Sequence, residues 1–176
     1  MNILKLFEYI GSDLKMLSGR TKSNNFIFLS PRFLPVFLIR LSRYFYLKLL
    51  GKPLAFILSW LNIVFFGIEC TPKTNIGHGL LIPHSNGIVI GALSLGNNVT
   101  IFQGVTIGAK EFDSTFSIDQ RPIIGNNVVI GAGAKILGGI KLGDSIVVGA
   151  NAVVLQSFTK NILLVGIPAK PKLIRR

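Results

Sequence analysis

Few side chains in this sequence can do acid–base, nucleophilic or metal chemistry. There are two histidines, His78 and His84, one cysteine, Cys70, and seven carboxylates against nineteen Lys and Arg. Two histidines cannot by themselves build a three-histidine metal site. One cysteine excludes a disulfide scaffold and a multi-cysteine metal centre, so no metal is expected. Cys70 could in principle carry an acyl group, but it stands in the segment that leads into the patterned part of the chain. His78 lies between two glycines and reads as a turn residue, and a lone histidine such as His84 reads the same way on its own. The remaining polar chemistry gathers between 110 and 121, in Lys110, Glu111, Asp113, Asp119, Gln120 and Arg121.

The elements that must position these groups announce themselves by a repeat. Ile76, Ile82 and Ile88 are six apart, as are Leu95, Ile101 and Ile107 after one extra residue. After a longer insertion the period continues through Ile124, Ile130, Ile136, Leu142, Val148 and Val154. All twelve positions are Ile, Leu or Val; those types fill 59 of 176 positions, so about four would be expected by composition. Six residues is not near a whole number of α-helical turns. A parallel β-helix explains it: one hexad makes a short strand and a corner, and three hexads close a triangular coil of eighteen residues. About four coils are expected between 76 and 159. The seventeen-residue step from Ile107 to Ile124 extrudes a loop within 109–121, a normal place for a binding site.

The chain falls into unequal parts. Residues 1–53 hold nine basic and two acidic side chains, and only three of the nineteen glycines precede residue 54. We expect a basic, apolar, helical region over 1–70, the β-helix over 71–160 and a tail over 161–176 that covers a face or an end. Helices are expected at about 33–50 and 53–66. The uncharged run 53–68 is too short for a spanning helix, which needs about 20 apolar residues. Arg40, Arg43, Lys48 and Lys52 form a basic stripe beside an apolar face, which suits either an anionic membrane surface or packing within the protein. No secretory signal is read. The net charge of +12 and a pI near 10.3 predict an anionic partner. Nucleic acid is not expected, because no recognisable nucleic-acid motif accompanies the basic residues.

The hexads resemble the hexapeptide-repeat acyltransferases, and most of all serine acetyltransferases and their short relatives that O-acetylate bacterial polysaccharides. The segments that carry the resemblance are 67–69, 76–91, 103–108, 130–138 and 165–170. The resemblance implies a mainly β fold, a left-handed parallel β-helix with a short α-helical N-terminal region. It implies His84 as general base, a neutral imidazole that takes the proton of an attacking hydroxyl. It places the acidic partner that would orient His84 at Glu69, where serine acetyltransferases usually have Asp. The donor would be acetyl-CoA, in a groove between the subunits of a homotrimer. Gly108, Ala109, Ala132 and Ala150 would contact its pantetheine arm. Lys170, with Lys110 or Lys135, would meet its phosphates. Asn86 and Arg121 are the candidate acceptor contacts.

Three departures bear on the acceptor. Pro83 stands where serine acetyltransferases have an Asp, Gln120-Arg121 stands where they have an Arg-His pair, and only about 70 residues precede the repeat. On these grounds the expected acceptor is a sugar hydroxyl of a capsular, exopolysaccharide or O-antigen unit, free or lipid-linked. The expected place is the cytoplasm, peripheral at the inner face of the bacterial membrane. The alternatives are serine O-acetylation in cysteine biosynthesis and a noncatalytic trimeric scaffold.

Overall fold

The computed structural model describes residues 1–19, 27–159 and 161–173. Each hexad forms a strand of two or three residues and a corner, and the strands stack into three flat faces. Face A holds β1 (Ile68–Cys70), β3 (Ile88–Ile90), β6 (Thr106–Gly108), β9 (Lys135–Leu137) and β12 (Val153–Val154). Face B holds β2 (Asn75–Ile76), β4 (Ser94–Leu95), β7 (Ile123–Ile124) and β10 (Lys141–Leu142). Face C holds β5 (Thr100–Ile101), β8 (Val129–Ile130), β11 (Val147–Val148), β13 (Ile162–Val165) and β14 (Lys170–Leu173). All these pairings are parallel except β13 with β14.

The period has a simple physical origin. Side chains alternate across a strand, so two positions per hexad point inward, the aliphatic residue and the one two before it. Val99 and Ile101, Val128 and Ile130, Ala134 and Ile136, and Ala152 and Val154 are all buried in this way. Columns form along the axis, such as Ile101, Ile130, Val148 and Leu164 on face C. Neighbouring corners need left-handed backbone: Gly104 has φ +71, and a Cβ there would stand 3.4 Å from the Cα of Gly133 on the next coil. Glycine meets both demands.

One hexad departs from the six-residue reading. On face A it is Ile90, not Ile88, that pairs with Ile107. Ile88 is also buried, but it sits at the second inward position. Two extra residues therefore lie between Ile82 and Ile90. Gly104 N–H donates to Asn86 O and Gly133 N–H to Gln103 O, so Asn86 aligns with Gln103, and the excess falls on His84 and Ser85.

Among the described residues three α-helices cap the open end: α1 (Ile3–Ser18), α2 (Leu34–Tyr46) and α3 (Lys52–Phe66). α1 has no counterpart in the two helices expected by residue range. α2 stops earlier than expected because the chain doubles back at Gly51, where a Cβ would collide with the Phe45 carbonyl. The cap is pinned to the coils by a buried ion pair, Arg40 Nε to Asp13 Oδ2 at 2.8 Å. Arg40 also donates to Ile76 O and Gly77 O, and Asp13 accepts from Leu80 N–H. Burial pushes the Asp13 carboxyl up, with Arg40 opposing that shift. Among the described residues no helix is long and apolar enough to cross a membrane.

Candidate active site

The corner between faces C and A forms one edge of the site. Asn151 N–H donates to Ala132 O, Gly133 N–H to Gln103 O and Gly104 N–H to Asn86 O. Asn86, Gln103, Ala132 and Ala150 thus form one column along the axis. His84 projects from the two-residue bulge at its foot, exposed, with its ring 6.4 Å from that of Phe102. Asn86 has φ 107, a conformation rarely adopted outside glycine. The extra length at this corner is what pushes a histidine out of the regular stack.

The opposite edge of face A carries the extruded loop. Here the loop folds back over face A and encloses a cleft of about 530 Å³. Its lining includes Glu69, Thr71, Lys73, Gly108, Ala109, Glu111, Phe112, Asp113, Phe116 and Arg121. Both signs of charge are present: three carboxylates and two cations.

Asp113 organises the loop. Its Oδ1 accepts from Thr115 N–H at 3.0 Å and Thr115 Oγ1 at 2.7 Å; its Oδ2 accepts from Ser117 N–H at 2.7 Å and Arg121 Nη2 at 2.8 Å. The Thr115 hydroxyl and then the Arg121 guanidinium hold this carboxyl well below the usual carboxylate range. Arg121 donates further through Nε to Asp113 Oδ2 at 3.2 Å, and to Asp113 O and Gly91 O beside face A. Its guanidinium lies 4.5 Å from the Phe116 ring centroid, and Lys73 Nζ lies 5.3 Å from it. Four donations to the chain itself leave Arg121 little capacity to grip an acceptor. In this structure it is a loop anchor.

The residues singled out by sequence therefore divide. His84, Asn86, Ala132 and Ala150 share one edge, whereas Gly108, Ala109, Lys110 and Arg121 share the other. Glu69 lies on face A, in register with Val89, facing the cleft. Among the described residues no hydrogen bond or ion pair joins Glu69 to His84. Lys110 lies across Gly138 on the next coil. Lys135 Nζ donates to Gly104 O at 2.6 Å. Lys170 is exposed on β14. Cys70 is buried, and burial pushes its thiol up to about 12, which removes it as a nucleophile at neutral pH. Among the described residues no cluster of three or more His, Cys, Asp and Glu could hold a metal. Sequence reasoning missed Lys73, Phe112 and Phe116. The spacing of Asp113, Thr115 and Ser117 is a turn signal that could have shown the loop folding on itself.

A coiled triangular stack with an extruded loop and an edge histidine is the architecture of a class. The family pattern described as bacterial transferase hexapeptide (six repeats) matches residues 121–156. The serine acetyltransferase of Neisseria gonorrhoeae, solved in complex with serine, is 32% identical with a TM-score of 0.83, over 97% of this chain and 70% of that one. A serine acetyltransferase solved in complex with CoA is 29% identical with a TM-score of 0.82, over 97% of this chain and 71% of that one. The chain belongs to the hexapeptide-repeat acyltransferase family, with its left-handed β-helix. Within that family it is similar to a serine acetyltransferase of Staphylococcus aureus, 46% identical over 112 residues, 63% of this chain and 51% of that protein. The chain spans about half the length of the curated relatives it matches.

These likenesses overturn the expectation of a polysaccharide acceptor: the relatives and solved neighbours named above are serine acetyltransferases. Part of that expectation was that the carboxylate facing an acceptor amine must directly precede His84. Pro83 does remove it there, but Glu69 and Glu111 both line the cleft, so the site is not short of carboxylates.

Proposed function

We propose that this protein is an acetyl-CoA-dependent O-acetyltransferase whose acceptor is L-serine, in the manner of the first step from serine toward cysteine. The observation that carries the reading is the likeness, along 97% of the chain, to a serine acetyltransferase solved with serine bound. The mixed-charge cleft supports it. Glu111 suits an ammonium group and Lys73 suits a carboxylate, so a small zwitterion is a better fit than a neutral sugar.

In this reading neutral His84 accepts the serine hydroxyl proton as the oxygen attacks the thioester carbonyl. The tetrahedral intermediate collapses with cleavage of the C–S bond, and the imidazolium returns the proton to the CoA sulfur. Glu69 orients the imidazole and offsets its charge. Catalytic hydrogen bonds are often long before both substrates are seated, which is consistent with the unpaired Glu69 and His84. Ala132 and Ala150 offer a column of small side chains in line with the His84 corner, against which a pantetheine arm can run. The two edges of face A lie apart in one protomer, so a homotrimer that sets the His84 edge of one copy against the loop edge of another completes the site.

The test is CoA thiol release from acetyl-CoA by the purified chain with L-serine, D-serine or no acceptor. Release with L-serine should fall by about 10²–10⁴-fold in His84→Ala, the range for loss of a general base, with Tm unchanged. Absence of serine-dependent release by a folded trimer would overturn the reading.

A further inference from the structure

Helix α3 is built inside out. Its polar side chains face the protein: Ser59 Oγ hydrogen-bonds Ser42 Oγ at 2.8 Å and Cys70 O at 3.2 Å, and buried Asn62 donates to Pro35 O at 3.1 Å. Much of its apolar surface faces outward, with Ile57, Trp60, Val64 and Phe65 all more than half exposed. After Lys52 the helix carries no charge. A helix whose outer face meets water has the opposite arrangement, and a contiguous apolar patch of this kind marks an interaction surface.

The α2–α3 tip continues the pattern. Leu49 and Leu50 are 94% and 90% exposed, between Lys48 and Lys52. Beside the tip lies a pocket lined by Leu47, Lys5 and Arg43, with no carboxylate in its wall among the described residues. Arg43 is half-buried and donates to the carbonyls of Pro72 and Lys73.

We propose that the α2–α3 tip and the outer face of α3 dock this protein peripherally on an anionic phospholipid surface. Apolar residues enter the acyl boundary and the flanking lysines meet headgroup phosphates, the arrangement of an interfacial helix. Fifteen residues of α3 are too few to span a bilayer, so the helix lies along the surface. A second copy is a poorer occupant. A symmetric contact through the tip would set Lys48 and Lys52 of one copy against Lys48 and Lys52 of the other. The inference does not depend on the acceptor.

Trp60 is the sole tryptophan of the chain, so its emission reports on this face alone. The full chain should float with vesicles of phosphatidylcholine containing about 30% phosphatidylglycerol, and Trp60 emission should shift to the blue. Pure phosphatidylcholine should bind weakly, and high salt should release the protein. Lys48→Glu with Lys52→Glu, and separately Leu49→Ser with Leu50→Ser, should each lower partition by about tenfold or more, with Tm and oligomer mass unchanged. No flotation and no shift with the anionic vesicles would overturn the proposal. So would Trp60 emission already blue without lipid, together with a smaller assembly in the Leu49→Ser/Leu50→Ser variant, which would assign the face to a second copy.

Discussion

The coils and the helical cap draw on the same aliphatic residues and use them in opposite senses. In the coils the aliphatic columns are sealed inside, and Ile101, Ile107, Ile130 and Ile136 are fully buried. In α3, Ile57, Trp60, Val64 and Phe65 face out, whereas Ser59 and Asn62 face in. The difference shows that apolar composition says how much surface can be buried, while the period decides where. A closed triangular coil has only one dry place, its axis. A helix packed on one side can be dry on either, and its partner decides which.

The largest test falls on the seam between the two regions. Arg40→Met leaves the Asp13 carboxylate buried without its cation and should cost about 3–5 kcal/mol, with the double variant Arg40→Met/Asp13→Leu recovering part of it. Denaturant unfolding measures this; a loss below about 1 kcal/mol would mean that the cap is not held by that pair. Next come matched truncations. Ile136→Ala should cost about 2–5 kcal/mol, whereas Ile57→Ala on α3 should stay within about 0.5 kcal/mol in lipid-free protein. Equal costs would erase the contrast. Cys70 should resist a disulfide reagent in the native state and react fully after unfolding, since burial holds its thiol near 12. Rapid native labelling would show that the cap opens. The smallest effect concerns the loop. Asp113 has a lowered carboxyl pKa, so its contribution is present above the unfolded value and is lost only as pH falls through the folded one. Loop order, read by limited proteolysis, should therefore persist through the ordinary carboxylate range, while Asp113→Asn should loosen the loop at neutral pH.

Much of the scaffold was legible because its signal is periodic. Ile124 through Val154 could be assigned to strands by counting alone. The shift from Ile88 to Ile90 was not, because both are aliphatic and both are buried; only the pairing with Ile107 separates them. That shift matters, since it puts the surplus residues on His84 and Ser85. The site was less legible. Arg121 reads in sequence as a free cation in a polar loop, and only the fold shows it held by Asp113 and Gly91. Pro83 drew attention to a missing carboxylate, whereas the carboxylates of the cleft come from Glu69 and Glu111, fourteen residues before Pro83 and twenty-eight after it. Sequence spacing carried no sign of that meeting.

A stack of parallel coils presents an open edge that could template another chain without limit. On face C that edge is β14, which runs antiparallel to β13 and reads Lys170-Pro171-Lys172. A proline that cannot donate and two lysines that repel a like edge are poor substrates for strand addition. The short returning strand thus works as a growth stop. It lets a fold assembled by stacking remain a discrete particle rather than the seed of a fibre.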